Sequence, residues 1–112
     1  MIDKYSFGSI TVNGQTYKSD LIIFPERTND LWWREEGHSL CIADMEEVLE
    51  YEPEVIVIGT GYFGVMGVPP AIKSQIEDLG IEVFALKTKD AVKKYNELEK
   101  SKKVVAALHL TC

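Results

Sequence analysis

The residues whose spacing most clearly suggests a binding site are glycines arranged as Gly59-x-Gly61-x-x-Gly64, directly after the apolar run 55–58. If that run is a strand, the glycines lie at its carboxyl end, where open α/β sheets bind ligands. Backbone N–H groups of such a turn predict a site for a small anion or for a partner's side chain. The structural alternative is that Gly59 and Gly61 only allow a sharp turn.

The same spacing occurs in dinucleotide-binding loops, but the residues that follow disfavour that function. In a dinucleotide-binding loop the helix begins inside the motif, whereas here residues 65–68 intervene before Pro69 can start one. The acid that would bind the ribose is replaced by Lys87. We therefore expect no cofactor.

A second candidate site is the polar loop 25–37, which carries Trp33 and Arg34 and lies close to His38 in the sequence. The Arg34 guanidinium could bind a carboxylate or phosphate, with Trp33 as an apolar wall. The alternative is that Arg34 pairs with neighbouring acids and the tryptophans cover an edge of the core. No pattern in the chain assigns catalytic residues.

Two His-x-x-Cys segments, His38 to Cys41 and His109 to Cys112, offer the ligand types of a zinc site. Both segments are predicted to be extended, so residues three apart would point to opposite faces. We therefore predict no metal site. Cys41 is expected to pack as a small apolar side chain rather than act as a nucleophile with His38 as its base.

Composition limits the functional classes. The formal net charge of −6 argues against a dedicated nucleic-acid binder, and no apolar run is long enough to cross a membrane. The first residues lack the pattern of a signal peptide, so we expect a cytoplasmic protein. Residues 26–54 hold ten acids and residues 87–103 hold seven lysines. These segments are either solvated faces or surfaces for a charge-complementary partner or for self-association.

Periodicity and turn signals predict a single α/β domain over residues 1–112. The expected elements are a hairpin (9–12 with 15–18), strands (21–24, 55–58, 81–86 and 104–110) and helices (45–51, from 69 or 70 to about 79, and from 88 onward). Their alternation indicates a mixed, mainly parallel sheet with flanking helices and an N-terminal β-hairpin. The strands at 55 and 81 should be parallel neighbours, while the direction of the last strand stays open.

Some finer expectations concern the ends and faces of the helices. Asp44 and Glu47 have the spacing of a capping box for the first helix. Ile72, Ile76 and Leu79 form the apolar stripe of the second helix. Thr88 is expected to cap the third helix, in which the buried positions are Ala91, Val92, Tyr95 and Leu98.

Taken together, "SDLIIFP", Trp32-Trp33 and "PEVIVIGTG" before a proline-started helix resemble a small family of unknown function. That family includes the adipogenesis-associated domain protein, a mitochondrial complex I assembly factor of the same fold, and many short archaeal and bacterial proteins. The resemblance covers nearly the whole chain and implies a stand-alone archaeal or bacterial member with a three-layer α/β fold. The matching positions are Asp20, Trp33, Gly59, Thr60 and Gly61.

The resemblance implies protein partners rather than a reaction, although the assembly role belongs to mitochondrial relatives with targeting extensions. We predict a non-enzymatic binding or assembly module, with a homo-oligomer also open. The alternative is a small enzyme or small-molecule-binding protein that holds an anion at the glycines. Either function requires residues 31–38 and 59–68 to lie on one side of the molecule. The candidate contact residues are Trp33, Arg34, His38, Gly59, Thr60, Gly61 and Phe63.

Overall fold

The computed structural model describes residues 1–112. Its elements are β1 (Ile2–Ser6), β2 (Ser9–Val12), β3 (Gln15–Tyr17), β4 (Leu21–Ile23), β5 (Thr28–Asn29), a 3₁₀ turn (Ile42–Met45), α1 (Glu46–Glu50), β6 (Val55–Thr60), α2 (Pro70–Glu77), β7 (Glu82–Leu86), α3 (Thr88–Leu98) and β8 (Val104–His109). None of the helices has the length and apolar character that a membrane span requires.

The central sheet has five strands in the order β5-β4-β8-β6-β7. β6 runs parallel to both β7 and β8, whereas β4 runs antiparallel to β8 and β5. β6 and β8 are almost continuous apolar runs because both faces of these strands are covered. The predicted mixed sheet is confirmed, and the last strand proves to be parallel to β6.

A second sheet of three antiparallel strands, β1-β2-β3, contains the predicted hairpin. Asn13 and Gly14 both have positive φ, at 48° and 83°, as a tight two-residue hairpin turn requires. β1 was not predicted, because Ile2 is its only buried residue and the strand shows no apolar alternation.

The two faces of the central sheet carry separate hydrophobic clusters. On one face, Met45, Val48 and Ile76 from the 3₁₀ turn, α1 and α2 pack against the sheet. On the other face, α3 and the three-stranded sheet cover it, with Ala91, Tyr95, Ile2, Ile10 and Val12 buried. The central sheet is therefore the middle of three layers, which confirms the predicted three-layer α/β fold.

The expected capping box at Asp44 and Glu47 is wrong. The Asp44 carboxylate instead accepts the N–H groups of Cys41 at 3.0 Å and Glu35 at 3.1 Å, which stabilises the 3₁₀ turn before α1. Glu47 is free to bind elsewhere, and its carboxylate accepts hydrogen bonds from Arg27 and Asn29. Asp44 thus ties the polar loop to the helical segment.

The apolar stripe of the second helix is shorter than expected. Ile76 is fully buried and Ile72 packs at the margin of the same cluster. Leu79 lies beyond the end of α2 and is 64% exposed. Its helical spacing misleads because the helix stops at Glu77, before the side chain can turn inward.

Candidate functional site

The glycine turn, residues 59–64, begins with the last two residues of β6, at the carboxyl edge of the parallel strands. At Gly59 an added Cβ atom would lie 2.8 Å from both the Leu108 side chain and the Thr88 hydroxyl. At Gly61 φ is +108° and a Cβ atom would lie 2.5 Å from the Cys112 carbonyl oxygen. Close packing against the rest of the chain therefore explains why glycine stands at both positions.

Four N–H groups of residues 61–65 are hydrogen-bonded inside the protein, and only that of Phe63 has no acceptor within the chain. Their acceptors are the Thr88 hydroxyl for Gly61 (2.9 Å), the Thr111 carbonyl for Tyr62 (2.7 Å), the Gly61 carbonyl for Gly64 (3.2 Å) and the Cys112 carbonyl for Val65 (3.0 Å). An anion at these groups would have to displace the chain's own acceptors. This geometry favours a structural turn over an anion cradle.

Thr88 links the turn to the sheet. Its hydroxyl donates to the His109 carbonyl at 2.6 Å while accepting the Gly61 N–H. The expected capping role is wrong, because the N-cap residue of α3 is Lys87 and the Thr88 hydroxyl is used in this bridge. This buried hydroxyl therefore provides an acceptor for the Gly61 N–H in the turn and a donor for the His109 carbonyl at the end of β8.

Three ionisable side chains, Asp20, Arg34 and His109, meet beside this edge and are called the Asp20 cluster below. The Asp20 Oδ2 atom lies 2.7 Å from His109 Nδ1 and 2.8 Å from Arg34 Nη1. The Arg34 and His109 side chains are only 6% and 7% exposed, and that of Asp20 is 20% exposed. The cluster is therefore almost entirely internal.

The strand topology brings this cluster together. β4 is antiparallel to β8, so the residue before β4 lies beside the residues at the end of β8. Asp20 Oδ1 accepts the Leu110 N–H at 2.8 Å, and the Asp20 carbonyl accepts the Trp32 N–H at 3.0 Å. Asp20 thus fastens the polar loop to the end of the central strand.

Electrostatics define the protonation pattern of the cluster. Burial raises the pKa of Asp20, but the hydrogen bonds from His109 and the Leu110 N–H and the close ion pair with Arg34 outweigh it, and the pKa lies below its usual value. Asp20 is therefore ionised at neutral pH, and the His109 Nδ1 atom must carry the proton that it donates. Its other ring nitrogen, Nε2, is buried without a hydrogen-bond partner.

Arg34 is used inside the protein. Its Nη2 atom donates to the Gly37 carbonyl at 3.2 Å, and its Nη1 atom makes a close ion pair with Asp20 that lacks the alignment of a hydrogen bond. The guanidinium lies 4.8 Å from the ring centre of the buried Trp32. The sequence predicted Trp33 as the apolar wall, but Trp33 is 71% exposed. Arg34 therefore anchors the loop that presents Trp33.

Residues 31–38 and 59–68 do lie next to each other. The Gly67 N–H donates to the His38 carbonyl at 2.8 Å, and the Leu40 N–H donates to the Gly67 carbonyl at 2.9 Å. The exposed His38 ring lies 6.2 Å from the His109 ring. No common cavity joins the two segments, since the cavity beside Trp33 includes no residue of the glycine turn. They form one edge rather than one pocket.

Large apolar side chains of the glycine turn are exposed. Tyr62, Phe63 and Phe7 form an aromatic group whose ring centres lie 5.0 to 6.2 Å apart, with Val65 exposed nearby in sequence. These four residues are called the aromatic patch below. Further along the same loop, Met66 is fully buried. The apolar loop is therefore partly folded back and partly open to solvent.

The cysteine hypotheses receive little support from the geometry. Burial and the hydrogen bond with Asp44 raise the pKa of the Cys41 thiol, which disfavours the nucleophilic thiolate. The structure contains no group of three or more His, Cys, Asp or Glu side chains placed to hold a metal ion.

Sequence reasoning did not assemble the Asp20 cluster. Asp20 entered only through the family resemblance, and His109 only as a possible zinc ligand. One signal in the sequence was the position of His109, directly after the apolar run 104–108. A polar residue next to a buried strand indicates that its side chain needs a hydrogen-bond partner inside the protein. Its partner could not be chosen without the β4–β8 pairing.

The fold and this edge define a class: a three-layer mixed α/β domain whose sheet edge is fastened by a buried carboxylate–guanidinium–imidazole cluster. The chain belongs to the family described as "Protein of unknown function (DUF498/DUF598)", whose model matches residues 2–109. The predicted family membership is confirmed.

Solved structures agree with this assignment. The conserved hypothetical protein PH1505 from Pyrococcus horikoshii OT3 is 28% identical, with a TM-score of 0.83 over 100% of this chain and 99% of that one. The protein MT938 has the same identity and TM-score and covers 100% and 98%. A Mth938-like domain protein from Bordetella pertussis is 20% identical with a TM-score of 0.69 over 98% and 85%, and shares the fold.

Proposed function

We propose that this protein is a non-enzymatic binding module that docks a protein partner on the carboxyl edge of its sheet. The observation that carries the proposal is the aromatic patch, whose rings touch one another and remain open to solvent. Contiguous exposed apolar groups are uncommon on soluble domains and mark interaction sites. Aromatic residues are also enriched in protein interfaces.

The backbone beneath the patch is ordered before a partner arrives. The Tyr62 N–H donates to the Thr111 carbonyl at 2.7 Å and the Val65 N–H to the Cys112 carbonyl at 3.0 Å. Ordering a loop opposes binding, so a loop that is already fixed favours affinity. Gly59 and Gly61 contribute indirectly, because only glycine lets the turn pack this closely. Thr60, whose hydroxyl donates to the Leu86 carbonyl at 3.1 Å, supports the same turn.

Trp33 and His38 are exposed on the adjoining segment, which is joined to the loop of the patch by the hydrogen bonds of His38 and Leu40 with Gly67. Arg34 is a positioning residue in this proposal, since its guanidinium is held by Asp20 inside the protein. The Arg34 guanidinium and four N–H groups of residues 61–65, which would have to bind an anionic substrate, are thus engaged in internal contacts. That occupancy favours partner binding over catalysis or capture of an anion.

Photo-crosslinking tests the proposal. A benzoylphenylalanine in place of Phe63 is compared with one in place of Leu79, because the two side chains are 63% and 64% exposed. Leu79 precedes β7, at the opposite edge of the sheet. In native cells, we expect a discrete protein adduct at position 63 and none at position 79.

The adduct at position 63 should disappear when Phe7→Ser or Tyr62→Ser is added, since both remove part of the patch. Light scattering of the purified chain identifies whether the adduct is a second copy. Equal crosslinking at positions 63 and 79, or none at position 63, would contradict docking through this edge.

A further inference from the structure

A separate concave site is lined by the tryptophan-bearing loop and by none of the residues of the aromatic patch. It is a cavity of about 280 Å³ between residues 31–33 and the segment 43–50. Its lining includes the buried side chains of Ile22 and Trp32 and the exposed indole of Trp33. This acidic cavity, as it is called below, is smaller than a usual small-molecule site and has the size of one long side chain.

The charged groups that line the acidic cavity are all carboxylates: Asp44, Glu46, Glu47 and Glu50. Two of them are already satisfied, because Asp44 accepts backbone N–H groups and Glu47 pairs with Arg27 at 2.9 Å. Glu46 and Glu50 make no hydrogen bond or ion pair through their side chains within the chain. The cavity therefore presents uncompensated negative charge.

Glu46 and Glu50 are four residues apart on α1, so their side chains are neighbours on one face of the helix. Like charges at that spacing repel each other, and a cation between them would relieve the repulsion. An exposed indole beside carboxylates adds attraction for a cation through its ring face. The carboxylates and the indole of Trp33 both favour a positively charged group in this cavity.

Among cations, arginine fits this arrangement best. Its planar guanidinium can stack on an indole and direct several N–H groups at two carboxylates, whereas an ammonium is a strongly hydrated point charge. No three of its carboxylates are placed to hold a metal ion together.

We infer that the acidic cavity binds an arginine side chain from a basic segment of the protein partner, an inference that rests on the proposed function. The partner would place one arginine between Glu46 and Glu50 with its guanidinium against Trp33. The aromatic patch would bind a different part of the same partner.

The test uses the purified full chain and two peptides, acetyl-Gly-Arg-Gly-amide and the same peptide with citrulline in place of arginine. Citrulline has nearly the same shape without the charge. In NMR titrations to millimolar peptide, we expect the arginine peptide alone to shift the Trp33 indole N–H and the amides of α1. Added salt should weaken these shifts, because the attraction is electrostatic.

Matched variants localise the effect. Trp33→Ala should weaken arginine-peptide binding roughly two- to fivefold, the fold-change of an exposed cation–aromatic contact. Glu46→Gln with Glu50→Gln should weaken it by at least as much. The control is Glu77→Gln with Asp78→Asn, which removes the same charge at the end of α2 and should leave binding unchanged.

Equal shifts with both peptides, no arginine-specific shifts, or full binding in the double glutamine variant would overturn the inference. A dimer in light scattering that the double glutamine variant dissociates would also overturn it, because a second copy would then occupy the cavity. The titration needs no partner. Its failure removes the arginine site and leaves the result of crosslinking at position 63 standing.

Discussion

Replacing Asp20 by Asn is the sharpest test of the idea that the Asp20 cluster fastens the edge of the sheet. The change keeps the shape of the side chain and removes its charge. The Arg34 guanidinium, 6% exposed, then loses its counter-ion, and the one oxygen of Asn can accept from the Nδ1–H of His109 or from the Leu110 N–H but not from both. Removing one partner of a buried ion pair costs about 3 to 5 kcal/mol of unfolding free energy.

Because Asp20 itself is 20% exposed, water screens part of the effect, and we expect a loss of about 3 kcal/mol. Urea unfolding followed by tryptophan fluorescence, which reports the buried Trp32 together with the exposed Trp33, measures it. With a slope of about 1.5 kcal/mol per molar urea, the midpoint falls by about 2 M. The fluorescence report is local, so circular dichroism should give the same midpoint.

A double-mutant cycle with Arg34→Met isolates the interaction of the two side chains. The double variant should be less destabilised than the sum of the single variants by about 2 kcal/mol, since neither unpaired charge then remains. Glu47→Gln serves as the control, because its pair with Arg27 is exposed and contributes at most about 1 kcal/mol. A cost below about 1 kcal/mol for Asp20→Asn, or no coupling, would refute the reasoning.

Three further predictions follow from the same structure. The folded pKa of Asp20 lies below its unfolded value, so its stabilisation is present above pH about 4 and is lost as pH falls; acid titration of urea midpoints should show a shallower loss in Asp20→Asn. Burial raises the pKa of Tyr95 to about 12, so stability should decline between about pH 10 and 12, less steeply in Tyr95→Phe. Gly61→Ala should lower the unfolding free energy, measured in urea or thermal unfolding, by about 2 kcal/mol or more, because φ is +108° and the new Cβ atom would lie 2.5 Å from the Cys112 carbonyl oxygen. In the control Gly37→Ala the new Cβ atom meets nothing within 4 Å, and the unfolding free energy should change by no more than about 0.5 kcal/mol.

The sequence predicts those parts of the fold whose signals are local. Asn13-Gly14 predicts its hairpin because both residues accept positive φ, and the structure has both there. The run 55–58 and the periodic residues of α3 also give local signals. The strand is a continuous apolar run because both of its faces are buried, and the helix shows apolar periodicity because one face is buried. Alternation of these elements then leaves few possible topologies.

The Asp20 cluster could not be predicted in the same way, because it depends on pairing between strands that are far apart in sequence. Asp20 and His109 meet only when β4 lies antiparallel to β8, and the direction of β8 is not encoded locally. The capping box predicted at Asp44 was wrong for a related reason. The Asp44 carboxylate accepts the N–H groups of Cys41 in the neighbouring turn and of Glu35 in a more distant loop, instead of an N–H group of the helix that follows. Long-range hydrogen bonds outweighed local spacing at both places.

The position of β8 has a consequence for biosynthesis. Residues 104–109 form the centre of the five-stranded sheet, between β4 and β6, although they come after the other four strands of that sheet in the sequence. Until they leave the ribosome, the nascent chain carries two unpaired strand edges flanked by apolar side chains, which are the features that chaperones protect. Completion of the sheet must therefore follow, rather than accompany, synthesis of the first hundred or so residues.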